Sequence, residues 1–235
     1  MINKNGAIIW AGPSLIDGSP IALILTGIKY PSHNSKTGDE LQTWIIPDNG
    51  VSPQDNINNG NDYSVCGNCV HRPYLKPKQP CYVKAWQAAH KVWQCYDRNG
   101  YEKLNNKIIE NNPRIKFTPL RLGSYGDPAA VPYVGWYRIL KHIKKFTGYT
   151  HQWDQKFYDP KLSKYCMASV ESLKEAKKAI SKNMRYFRVT DKLDRNKNEL
   201  ICPASKEAGR KLNCINCNAC NGTASTRRNV LIVAH

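Results

Sequence analysis

The chain has 235 residues, 41% of them apolar, with a formal net charge of +17. That length and apolar content suit a packed domain and exclude wholesale disorder. No apolar run approaches bilayer length and "MINKNGAIIWAGPS" lacks the features of a signal peptide, so the expectation is a soluble, cytoplasmic protein with no membrane partner.

Residues 7–25 read as a β-hairpin, "AIIWA" and "IALIL" around an Asp-Gly turn signal. Residues 31–64, rich in Pro, Asn, Gly, Ser and Asp, read as loops around one short strand, "QTWII". A helix is expected over 85–101, with Trp86, Ala89, Val92, Trp93 and Tyr96 at helical spacing. From residue 115 strands and helices alternate. "FTPLRLG", "FTGYTHQ", "KYCMASV", "YFRVT", "ELICPA" and "NVLIVA" read as strands. Helices are expected at "PYVGWYRILKHIKK", with Trp136, Ile139, Leu140 and Ile143 on one stripe, and at "SLKEAKKAISKN". The second opens on a Ser172-x-x-Glu175 capping box and turns Leu173, Ala176 and Ile180 inward. "SKEAGRK" reads as a short helix.

This alternation predicts an α/β fold with parallel strands and right-handed crossovers. About five or six strands in the second half are too few for a closed eight-stranded barrel, so a partial (β/α) barrel is expected, with an open doubly wound sheet as the alternative. The N-terminal β-hairpin, loops and helix of residues 1–114 are expected to pack on the β/α repeats of 115–235 as one integrated domain.

Seven of the nine cysteines fall in two sets, Cys66, Cys69 and Cys81, and Cys202, Cys214, Cys217 and Cys220. Cys95 and Cys166 stand alone and read as buried core residues. In a chain expected to be intracellular, such spacing points to metal rather than disulfides. The Cys214-x-x-Cys217-x-x-Cys220 triplet with Cys202-Pro203 makes a four-thiolate set that fits tetrahedral zinc or a [4Fe–4S] cluster. A triplet plus a remote Cys-Pro is closer to a ferredoxin-type pattern than to paired zinc knuckles, which weights the reading toward iron–sulfur. The first set offers three thiolates. His71 as an extra ligand would make a Cys₃His zinc site; without it, a three-cysteine cluster keeps one open iron. The chain is thus expected to hold one or two clusters.

Parallel α/β folds place chemistry at the carboxyl ends of their strands. Counted that way, one rim collects Asp127, His151, Gln152, Trp153, Glu171 and Cys202. Asp127, His151 and Gln152 are the candidate catalytic groups for proton transfer and substrate orientation. Each has a plainer role available: Asp127 precedes Pro128 and reads as a cap, His151 as a satisfied buried histidine, and Glu171 as a helix-terminal acid. Thr190 and Asp191 read as structural, and His235 ends the last strand.

The net charge admits a nucleotide or nucleic-acid partner through phosphate contacts. Its 24 lysines and 11 arginines are scattered, however, and an AT-rich codon bias yields the same charge.

The segments "GPSLIDGSPI", "KTGDELQTWII", "SVCGNCVHRP", "PCYVKAWQA", "LRLGSYGDPAAVP", "GYTHQW", "MASVES", "CPASKEAGRK", "CINCNACNG" and "VLIVAH" span nearly the whole chain. In them the protein resembles a family of uncharacterised proteins encoded by tailed phages and prophages. The layout is also similar, more loosely, to radical S-adenosylmethionine-like phage proteins. That resemblance implies an iron–sulfur cluster with S-adenosylmethionine, and the host cytoplasm as location. The superfamily signature is Cys-x-x-x-Cys-x-x-Cys, from which Cys66-x-x-Cys69 with a distant Cys81 departs. The leading expectation is an iron–sulfur enzyme acting on a nucleotide or nucleic-acid-related substrate. The alternatives are a zinc-stapled nucleic-acid-binding protein of phage replication or host takeover, and a structural phage protein that binds a host partner.

Overall fold

In a computed structural model the chain forms a ten-stranded, mostly parallel sheet with helices packed on it. The structure describes residues 4–31, 34–74, 81, 83–209, 211–224 and 228–234; His235 lies outside them. Strand β1 (Gly6–Pro13) pairs antiparallel with β2 (Pro20–Thr26), which pairs antiparallel with β3 (Leu41–Pro47). The expected hairpin is present, and Gly18 in its turn takes φ +78°, the left-handed region where an Asp-Gly turn needs glycine.

Helices α1 (Pro53–Asn58) and α2 (Tyr63–Cys66) occupy the segment expected to be loops. They are short, and their polar sequences carry little apolar periodicity. Ser52 caps α1 by accepting the Asp55 N–H. A π-helical turn over Ala85–Ala89 leads into α3 (His90–Asp97). The non-helical backbone of Gln87 breaks the 3.6-residue period there, so Ala85 is buried while Trp86, expected inward, is 62% exposed. Strand β4 (Glu102–Lys103) adds to β1, followed by α4 (Asn106–Asn111) and α5 (Arg114–Phe117).

The second half carries β5 (Leu120–Tyr125), α6 (Tyr133–Leu140), β6 (Phe146–Thr150), β7 (Met167–Val170), α7 (Leu173–Ser181), β8 (Tyr186–Thr190), β9 (Glu199–Ile201), α8 (Cys214–Cys217) and β10 (Asn229–Val233). The sheet order is β4-β1-β2-β3-β5-β6-β7-β8-β10-β9. All pairings from β3 through β9 are parallel, and the β3–β5 pairing joins the two halves of the chain in one sheet. Strands β4 and β9 are its two edges, so the sheet does not close into a barrel.

Trp136, Ile139, Leu140 and Ile143 are buried along the expected stripe, and α6 packs on β1 with Gly135 against the Trp10 ring. Helix α7 has its capping box, with the Ser172 side chain accepting the Glu175 N–H. Its buried face is narrower than expected: Ala176 and Ala179 meet β7 and β8, while Leu173 and Ile180 are about half exposed. Two small residues let this short helix approach the sheet closely and leave its flanking apolar residues outside. "SKEAGRK" forms turns over its described residues rather than a helix, and the one helical turn nearby is α8.

Candidate metal centre

Strands β5, β6 and β7 lie side by side and end together, delivering Asp127, His151 and Glu171 to one rim. Asp127 lies just beyond β5 and is buried. Its Oδ1 accepts the Thr150 hydroxyl at 2.6 Å and the Ala129 N–H at 2.9 Å, and its Oδ2 accepts the His151 N–H at 2.7 Å. Burial pushes its carboxyl up, opposed by these hydrogen bonds. Asp127 is therefore both the expected cap and the clamp that sets the backbone of His151. With both oxygens so engaged, it acts by positioning rather than by proton transfer to a ligand.

The N-terminal cysteine loop packs over this rim. The Asp127 N–H donates to the Val65 carbonyl at 2.6 Å, fixing α2 and Cys66 at its end. Gln152 is 1% exposed; its Nε2 donates to the Cys66 carbonyl at 3.0 Å and its Oε1 accepts the Asn68 N–H at 3.4 Å. Expected to orient a substrate, Gln152 instead holds the Cys66–Cys69 loop. A second clamp is Arg72, whose guanidinium is bidentate to Asp62 at 2.5 and 2.9 Å and donates to the Gly60 and Gly67 carbonyls. This buried pair crosses ten residues of the loop, a geometry that a planar fork holds and an ammonium does not.

Cys66 and Cys69 belong to that loop, and Cys69 and Cys81 are near enough to act electrostatically on Cys66, although among the described residues no three cysteine sulfurs lie within 4.8 Å of one another. Burial pushes the Cys66 thiol well up, with Asp62, Cys69 and Cys81 adding to it. The Cys81 thiol rises for the same first reason. Cys66 and Cys81 thiols that both resist ionisation are a poor arrangement for free cysteines, and a cation beside them would relieve both burial and mutual repulsion. Tyr125, at the end of β5, is 3% exposed, and its hydroxyl has no hydrogen-bond partner among the described residues. Burial pushes the Tyr125 hydroxyl well up, and the nearby Cys66, Asp62 and Cys81 groups add to it.

His151 lies at the same place. Burial opposes its charged form, yet the Cys69 sulfur and the Glu171 carboxylate outweigh that and hold its pKa well above the usual range. Its Nε2 is 3.2 Å from Glu171 Oε1, and His71 Nε2 lies 3.3 Å from the same oxygen. The two histidines pull the Glu171 carboxyl down to about 2 against the effect of burial. In the sequence Glu171 had a plainer reading beside Ser172; here it belongs to the rim.

The C-terminal cysteines are gathered elsewhere, around one small cavity. The Cys202 N–H donates to the Leu231 carbonyl at 2.8 Å, pinning the end of β9 to β10. Asn213 caps α8, whose first turn is anchored by Cys214 N–H to Lys36 and Ile215 N–H to Thr37 carbonyls. Arg185 gathers the Ala219, Gly222 and Arg228 carbonyls, folding the triplet back on the sheet. Cys202, Cys214, Cys217 and Cys220 thereby line one small cavity with Thr147 and Tyr149. Burial pushes the Cys220 thiol up, opposed by Tyr149, and the other three cysteines push it further; burial lifts Cys214 to about 11.

Among the described residues the one set of three possible ligand atoms mutually within 4.8 Å is His71, His151 and Glu171. No three cysteine sulfurs approach as closely as the roughly 3.8 Å edges that a tetrahedral zinc thiolate site requires. Trp153, placed on the rim by the sequence, donates its indole N–H to the Ser169 carbonyl and belongs to a small core under α7. Thr190 closes its own loop, as expected. Cys166 is buried, as expected, whereas Cys95 in α3 is half-buried. No helix among the described residues is long and apolar enough to cross a membrane. No protein-family model, curated protein or solved structure matches this chain.

Proposed function

We propose that this protein is an iron–sulfur enzyme with its reactive centre at Cys66, Cys69 and Cys81 and a second, structural cluster at Cys202, Cys214, Cys217 and Cys220. The observation that carries the reading is the meeting of the first cysteine set with His151, Glu171 and the orphaned Tyr125 hydroxyl at the carboxyl ends of the parallel strands. A multi-iron group in which each thiolate has its own iron is what the Cys214-x-x-Cys217-x-x-Cys220 triplet with a remote Cys202-Pro203 favours over a single zinc ion. With three protein thiolates, such a cluster keeps one iron available to a ligand; with four, the C-terminal set has no open position.

Bound there, an iron–sulfur cluster would supply electron transfer and a Lewis-acidic iron. The chain's own residues do the rest. Asp127, Gln152 and Arg72 hold the loop and the His151 backbone in place. His151 Nε2 meets Glu171 at 3.2 Å, which orients its ring on the rim where a substrate would bind. A nucleotide or nucleic-acid-related substrate matches the +17 charge. The phage and radical S-adenosylmethionine-like resemblances point the same way, S-adenosylmethionine being the cofactor the second would add and the host cytoplasm the location.

The test is purification without oxygen, followed by iron, sulfide and zinc analysis and a visible spectrum. A brown protein with iron and sulfide is expected. A colourless, zinc-loaded protein that binds DNA or RNA in a salt-dependent way would replace this reading with that of a zinc-stapled nucleic-acid-binding protein.

A further inference from the structure

We propose that His71, His151 and Glu171 form a site for one divalent cation, of the Mn²⁺, Fe²⁺ or Zn²⁺ class, whose ligands are these three side chains and not the neighbouring thiols. The three side chains come from three elements: the loop after α2, the end of β6 and the end of β7. Both imidazole Nε2 atoms approach a single carboxylate oxygen, at 3.3 and 3.2 Å, and all three atoms lie within 4.8 Å of one another. A cation about 2.1 Å from each ligand sets neighbouring ligand atoms roughly 3.0–3.4 Å apart. The two histidine–carboxylate separations have that size. The two rings meet edge to face, 77° between planes, so both nitrogens can aim at one point without stacking.

Hydrogen bonding accounts for only one of the two histidines. His151 Nε2 bonds Glu171 Oε1 with acceptable geometry. His71 Nε2 does not: both of its ring nitrogens are buried and make no hydrogen bond, although Glu171 Oε1 is only 3.3 Å away. A buried imidazole whose Nδ1 has no partner and whose Nε2 meets Glu171 only as a poorly aligned ion pair is costly, and a cation between them is a partner that the distance permits. Two histidines and one carboxylate on one side of an ion leave its other positions open to water or to a substrate oxygen. The side chains are 15%, 21% and 28% exposed, enough for an ion to enter.

This inference concerns a different donor set from the proposed clusters and does not rest on their identity. The test uses the full-length protein as purified anaerobically, titrated with Mn²⁺ and followed by the loss of the free-ion electron paramagnetic resonance signal. Mn²⁺ is the probe because thiolates bind it poorly. One ion per chain is expected, with binding at least tenfold weaker in Glu171→Gln and in His71→Ala. Glu171→Gln keeps the side chain's size, so it carries the test if His71→Ala misfolds. No binding to the wild type, or binding unchanged in Glu171→Gln, overturns the proposal and leaves His71, Glu171 and His151 as a metal-free polar cluster. Iron and sulfide without a Mn²⁺ site would remove this inference alone. A Mn²⁺ site in a colourless protein would remove the iron–sulfur reading alone.

Discussion

Asp127 accepts the backbone N–H of His151 at 2.7 Å across the ends of two neighbouring parallel strands. The contact spans 24 residues and decides where the histidine stands, because the same carboxylate also takes the Thr150 hydroxyl. Asp127→Asn keeps the shape but replaces one acceptor with a donor, leaving an N–H facing an N–H or a hydroxyl. We expect a loss of about 1–3 kcal/mol, measured by urea denaturation, together with altered metal content at the first cysteine set.

Arg72 and Asp62 close the cysteine loop from the other side. Asp62→Asn leaves a buried guanidinium without its counter-charge, and a loss of about 3–5 kcal/mol is expected if the loop stays folded. Opening of the loop instead would appear as low stoichiometry at Cys66, Cys69 and Cys81 with the C-terminal centre still loaded. Limited proteolysis of Asp62→Asn separates the two results, because only an opened loop is cleaved faster between residues 60 and 74.

Gly67 takes φ +54°, and a Cβ there would meet the Gln152 amide at 2.7 Å. That amide is tied to the Cys66 carbonyl and cannot swing away freely. Gly67→Ala is therefore expected to lower stability by about 1–3 kcal/mol and to release the Cys66–Cys69 loop, seen as faster limited proteolysis between residues 60 and 74.

On β8, Arg188 is bidentate to Glu199 at 2.7 and 2.9 Å, with both residues 2% exposed or less. Burial works against the Glu199 carboxylate, but Arg188 outweighs it and holds the carboxyl below its ordinary range. A depressed carboxyl pKa contributes stability that is present above the unfolded-state value of about 4.3 and is lost as pH falls through the folded-state value. Urea midpoints should therefore fall as the solution is acidified below about pH 4. Glu199→Gln should cost about 3–5 kcal/mol at neutral pH and show a shallower acid slope. An unchanged slope in the variant would show that the pair does not govern acid stability.

Much of this organisation is legible in the sequence. The strand segments, the Asp-Gly hairpin, the capping box and the α6 stripe follow from local periodicity and local hydrogen bonding, which neighbouring residues carry themselves. The gathering of polar residues at strand ends is legible too, because parallel strands all present the same end. Trp86 and Ile180 misled for a physical reason: a π turn and a close alanine contact each shift which face a helix buries. The sequence by itself determined which segments are strands and which cysteines are spaced as ligands. Only the tertiary structure decided that β3 pairs with β5, that β10 inserts between β8 and β9, and that His71, His151 and Glu171 meet at one oxygen. Those outcomes depend on which apolar faces pack together across a hundred residues, and no local pattern encodes that choice.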